Sequence, residues 1–110
     1  MVLDPPTVGR LVRPALERHG IVKAILFGSI ATGRAGPRSD VDLILIAETD
    51  KRFFDRYEGL LRDLYVAIPG RDIDVLVYTV EELTAIEHRP FIRRALAEGQ
   101  VIYERRQTAA

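Results

Sequence analysis

Three short apolar runs constrain the fold more than any other feature: Ile21–Phe27, Val41–Ala47 and residues 71–78. Each is rich in β-branched side chains, and each is too short and too apolar to be a surface helix. They read as buried strands of one sheet. The first ends in Gly28-Ser29, which predicts a tight turn, and residues 30–39, with Gly33, Gly36 and Pro37, predict short helix and loop. The second run starts at once after Asp40. The third carries two acids, Asp72 and Asp74, inside an otherwise core-like strand.

Helical spacing fills the rest. Val8, Leu11, Val12, Ala15 and Leu16 recur along one face until Gly20, with Thr7 as the expected N-cap and Pro14 as an interior residue that kinks or restarts the helix. Phe53, Phe54, Tyr57, Leu60, Leu61, Leu64, Tyr65 and Ile68 predict one amphipathic helix closed by Pro69-Gly70. Its aromatic members are read as core packing rather than as a base-stacking platform. Residues 81–86 and 90–98 predict two more helices, with Gly99 as a C-cap, before a short strand at 101–103 and a frayed tail at 105–110. The element order is αβ(α)βαβααβ. At 110 residues this is one α/β (α+β) domain, 1–110, with a core of its own.

Sixteen basic residues balance sixteen acidic ones, so the chain has no net field to hold a nucleic acid or to press it onto an anionic membrane. It contains no cysteine, which removes disulfides, thiolate metal sites and thiol nucleophiles. Neither a basic, apolar leader nor a run of roughly 18 apolar residues occurs, and a cytoplasmic location is expected.

The acids point to chemistry. Residues two apart on a strand share a face, so Asp40 and Asp42 are expected to point the same way with Cα atoms about 6.6 Å apart. Like charges held this close are relieved by a raised pKa or by a cation, and oxygen-only ligands favour Mg²⁺ or Mn²⁺. If the third strand lies beside the second, one of its acids completes a three-carboxylate cluster. Asp72 and Asp74 face the same side; Asp74, between Ile73 and Val75, is expected to be the deeper. The Gly28-Ser29 turn supplies amide groups and a hydroxyl suited to phosphate. No Walker-type Gly-Lys-Ser/Thr follows Gly28, which excludes a P-loop. Arg34 is either a phosphate ligand or a solvated loop residue. His19 and His88 are expected to have surface roles, and Arg89, Arg93 and Arg94 to form a solvated helix face, with an acidic patch on a partner as the other reading of these arginines.

Leu26-Phe27-Gly28-Ser29, ten intervening residues and Asp40-Val41-Asp42-Leu43 resemble the GS-x10-DxD signature of the DNA polymerase β-like nucleotidyltransferase superfamily. In length the chain is similar to the minimal nucleotidyltransferase (MNT) branch, whose members are often antitoxins. Ala31-Thr32-Gly33-Arg34 and Ser39-Asp40 match the family's turn and its serine before the first acid. The resemblance implies a mixed sheet of three to four strands with helices mainly on one face. It further implies ATP as donor, two Mg²⁺ ions held by Asp40, Asp42 and Asp74, and Asp74 helping to deprotonate the acceptor. Gly28, Ser29, Arg34 and Ser39 become the nucleotide-binding candidates. The branch's nearest activity is transfer of AMP to a tyrosine of a HEPN-domain RNase toxin, so the expected partner is such a toxin in a hetero-oligomer. Two alternatives stand beside it: a non-catalytic antitoxin that acts by occlusion, and a small-molecule nucleotidyltransferase. The latter carries a further helical domain for its acceptor, for which this chain has no residues left.

Overall fold

The computed structural model describes residues 2–105. In chain order the elements are α1 (Pro5–Arg18), β1 (Ile21–Phe27), α2 (Gly28–Ala31), β2 (Val41–Ala47), a 3-10 helix (Phe53–Tyr57), α3 (Leu60–Ala67), β3 (Ile73–Tyr78), α4 (Val80–Ile86), α5 (Pro90–Glu98) and β4 (Gln100–Glu104). Residues 106–110, most of the expected tail, lie outside the described part. No helix among the described residues is long and apolar enough to cross a membrane.

The four strands form one mixed sheet in the order β3-β2-β1-β4. β1 runs antiparallel to both β2 and β4, while β2 and β3 are parallel. This arrangement brings the C-terminal end of β1 to the N-terminal ends of β2 and β3. Phe27 therefore pairs with Asp42, and Asp42 with Asp74.

Alternation along the strands sorts the core into two layers. Leu26, Leu43, Leu45 and Val77 pack with α1 and α3 in the larger one, through Val8, Val12, Leu16, Leu60 and Leu64. On the opposite face Ile25, Ile44 and Ile46 meet Leu83 of α4 and Ile92 and Ala95 of α5. Asp42 and Asp74 alternate onto this second, thinner face, at the end where the helices stop covering it.

Local differences from the sequence reading have physical causes. The N-cap of α1 is Asp4, whose Oδ1 accepts the Thr7 N–H at 2.9 Å, because Pro5 and Pro6 occupy the first helical positions, where no N–H is needed. Pro14 does not interrupt α1; it lies on the exposed face, where the carbonyl of Arg10 can turn to water. The expected single helix over 53–68 is two pieces. Gly59 caps α3 with φ +74°, a left-handed conformation that a helix cannot carry through.

That break changes the roles of the aromatic residues. Phe54 is 84% exposed and Tyr65 43% exposed, so neither is core. Phe53 packs edge-on against Phe54 and Tyr57. The phenol oxygens of Tyr57 and Tyr65 accept the N–H groups of Val77 (2.9 Å) and Ile73 (3.4 Å) on the outer side of β3. Arg56 clasps Glu82 through two N–H groups and donates to the Val77 carbonyl, tying the 3-10 helix to the capping box of α4. His19, expected to act alone at the surface, is hydrogen-bonded to Asp63 at 2.6 Å and joins α1 to α3.

Candidate active site

The site is built at the sheet end where β1 stops and β2 and β3 begin. Gly28 has φ +77°, and a Cβ there would overlap Asp42 Oδ2. Only glycine lets the chain turn out of β1 while a carboxylate stands directly beside its backbone. Ser29 follows, half-buried, in the single turn of α2. Thr32 Oγ1 donates back to the Gly28 carbonyl, and Gln100 Nε2 donates to the Ala31 carbonyl at 2.6 Å, fixing the turn against β4.

Asp42 and Asp74 face each other across the parallel ladder. Burial, then hydrogen bonding to the Asp74 side chain and the charges of Asp74 and Asp40, push the Asp42 carboxyl up from 3.8 to about 6. Two carboxylates held this close repel each other, and the pair is a locus of negative charge. Asp74 and Asp72 are both exposed, so burial does not separate them. It is register, not depth, that distinguishes the two: Asp72 precedes β3 and uses its carbonyl to accept the Val41 N–H at 2.9 Å, whereas Asp74 meets Asp42.

Asp40 precedes the first residue of β2 and remains exposed, so the ladder does not draw it inward. Among the described residues no group of three His, Cys, Asp or Glu side chains is close enough to hold a metal ion. The expected three-carboxylate cluster is thus reduced to a juxtaposed pair, with Asp40 acting on it through its charge alone. The pair nonetheless suits a hard divalent cation: its donors are all oxygen, and their mutual repulsion is the interaction that such a charge would relieve.

Phe27 and Phe91, ring centroids 5.8 Å apart and nearly perpendicular, separate two grooves. One, of about 450 Å³, contains Asp42, Asp74, Val75 and Leu76. The other, of about 310 Å³, runs from Gly28 and Ser29 past Arg34 to Arg94 and Glu98 of α5. Arg34 Nε donates to Thr32 Oγ1 at 3.1 Å. Ser39 does not reach this groove; its hydroxyl accepts the Gly36 N–H at 2.8 Å and closes the loop before Asp40, while Arg71 donates to its carbonyl.

Sequence reasoning passed over Phe91 and Gln100, and it read Arg94 as part of a solvated helix face rather than as a lining of this groove. For Phe91 a signal existed: it lies one residue off the buried stripe formed by Ile92 and Ala95, and it is 60% exposed. Gln100 carries no such mark, since its contact with Ala31 spans most of the chain.

A glycine-serine turn facing paired carboxylates at the end of a mixed sheet defines the nucleotidyltransferase class of fold. Residues 12–108 match the family described as Polymerase beta, Nucleotidyltransferase, and the chain belongs to that family. It is 35% identical over 89 residues to a Methanocaldococcus jannaschii protein whose assigned name is protein adenylyltransferase MJ1305; the match covers 77% of this chain and 60% of that one. Among solved structures, a toxin-antitoxin with AMP-PNP superimposes with a TM-score of 0.64 at 18% identity, covering 88% of this chain and 73% of the other. An MNT antitoxin in complex with the tri-AMPylated HEPN toxin of Shewanella oneidensis superimposes with a TM-score of 0.59 at 14% identity, covering 92% and 73%.

Proposed function

We propose that this chain is a Mg²⁺-dependent protein adenylyltransferase that moves AMP from ATP to a tyrosine hydroxyl of a HEPN-type RNase toxin, acting as its antitoxin. The observation that carries the proposal is the Asp42–Asp74 pair set against the Gly28 turn. The adenylyltransferase name of the archaeal relative and the MNT–HEPN complex among the structural neighbours support the reading. A cytoplasmic location, where ATP is supplied, belongs to the same proposal.

In this reading the backbone amides and hydroxyl of the Gly28-Ser29 turn, with Arg34, hold the triphosphate, and Asp42 and Asp74 would hold Mg²⁺, with the charge of Asp40 beside them. The ions, when bound, neutralise charge on the triphosphate and polarise the acceptor oxygen. Asp74, on the groove side of the pair, orients the acceptor and takes its hydroxyl proton. The tyrosine oxygen bonds to the α-phosphorus, the bond from that phosphorus to the bridging oxygen of the β-phosphate breaks, and pyrophosphate leaves. Ser39 acts at one remove, by fixing the loop that delivers Asp40.

Incubation of the purified chain with α-labelled ATP, Mg²⁺ and a HEPN-domain RNase partner tests the proposal. Label on the toxin that disappears with Asp42→Asn is the expected result. Neutralisation of the toxin without label, unaffected by Asp42→Asn, would leave occlusion as the mechanism.

A further inference from the structure

We infer that Arg94 of α5 is a second ligand for the donor's polyphosphate, opposite Arg34, and that Glu98 holds its guanidinium until the nucleotide arrives. This rests on the nucleotidyl-transfer reading and adds a residue that reading does not contain. The groove beginning at Gly28 and Ser29 has Arg34 on one side and Arg94 on the other, contributed by elements 60 residues apart in number. In a chain of zero net charge, two guanidinium groups on one groove of about 310 Å³ are a local concentration of positive charge. Glu98 is the acid lining it.

Both arginines are anchored in the same way. Arg34 bonds through Nε to Thr32 Oγ1 at 3.1 Å, and Arg94 bonds through Nε to Glu98 Oε1 at 3.2 Å. The terminal amino groups are the edge of the fork that meets phosphate oxygens. The Arg94–Glu98 pair is one helical turn apart, with side chains 72% and 39% exposed. Such exposed pairs hold their partners weakly, so an incoming phosphate can displace the carboxylate. α5 itself does not drift: Ile92 and Ala95 are buried against the sheet, and Gly99 at its end packs tightly on Ile25 and the Leu26 carbonyl. Arg94 is thus presented from a fixed helix by a loosely held side chain, a suitable arrangement for a group that must engage a polyphosphate and release pyrophosphate.

The pair makes predictions of opposite sign. Calorimetric titration of ATP and of AMP, each with Mg²⁺, is carried out on the wild type, Arg94→Gln, Arg94→Lys and Glu98→Gln. Arg94→Gln is expected to weaken ATP binding about tenfold or more, the scale of a lost charge-assisted hydrogen bond, without changing AMP binding. Arg94→Lys should fall between, and Glu98→Gln should tighten ATP binding severalfold by removing the competing carboxylate. The inference is overturned if Arg94→Gln binds ATP like the wild type, if ATP and AMP weaken by the same factor, or if Glu98→Gln weakens ATP. Wild-type binding with no effect of Arg94→Gln sinks this inference and leaves the transferase reading standing. A wild type that binds no ATP sinks both.

Discussion

Replacing Asp42 with asparagine is expected to stabilise the protein in chelator at neutral pH while abolishing transfer. The Asp42 carboxyl is raised from 3.8 to about 6, first by burial and then by Asp74 and Asp40. A raised carboxyl means that the folded state binds the proton more tightly than the unfolded state does. Stability is therefore highest when the group is protonated, falls as pH rises from about 4 to about 6, and stays reduced above that. At 1.36 kcal/mol per pH unit the displacement corresponds to about 3 kcal/mol, and solvent screening of this half-buried group lowers it to roughly 1–2 kcal/mol. In a domain of this size that is a rise in Tm of about 5 °C or more. Thermal melts of both proteins between pH 4 and 8 in chelator are the assay: the asparagine variant should melt higher at pH 7.5 and with no advantage at pH 4. Mg²⁺ should then raise the wild type more than the variant. A variant that melts at or below the wild type at pH 7.5 in chelator, or one whose advantage is independent of pH, would refute the account of Asp42 as an electrostatically strained group.

Gly28→Ala forces a Cβ into Asp42 Oδ2 at a left-handed backbone position; a loss of about 1–3 kcal/mol in urea unfolding and a fall in labelling on the order of a hundredfold are expected. Tyr57→Phe removes the acceptor for the Val77 N–H on β3 and should cost about 1–2 kcal/mol, read as a shift in urea midpoint at constant slope. Glu82 is held down at about 2, chiefly by hydrogen bonding to Arg56, so its contribution is present above about pH 4.5 and lost as pH falls toward 2. In Glu82→Gln the unfolding midpoint should be lower than wild type at pH 7, and the difference should shrink between pH 4.5 and 2.

The strands were the most legible part of the chain, because burial on both faces leaves continuous apolar runs: β1 and β2 have the boundaries that Ile21–Phe27 and Val41–Ala47 suggest. The parallel pairing that sets Asp74 beside Asp42 was a condition in the sequence reading, since periodicity says which face a residue takes but not which strand is its neighbour. Asp40 was harder to place for a related reason. Two-residue spacing implies a shared face only inside the ladder, and Asp40 stands just before it. The split at Gly59 and the outward turn of Phe54 and Tyr65 were hidden because 3.6-residue spacing continues across the break. His19 and Asp63 lie 44 residues apart, a distance at which local pattern carries no information.

Asp74 stands on an edge strand, and edge strands invite other chains to extend the sheet. Here the outward N–H groups of Ile73 and Val77 are already engaged by tyrosine oxygens, and the Val77 carbonyl by Arg56. A binding protein therefore finds this border obstructed near both ends of β3, whereas the end of the sheet, with its acids and grooves, is open. The same guard separates two kinds of encounter: productive approach to the acids stays available, while self-templated stacking along β3, the first step toward an aggregate, is obstructed.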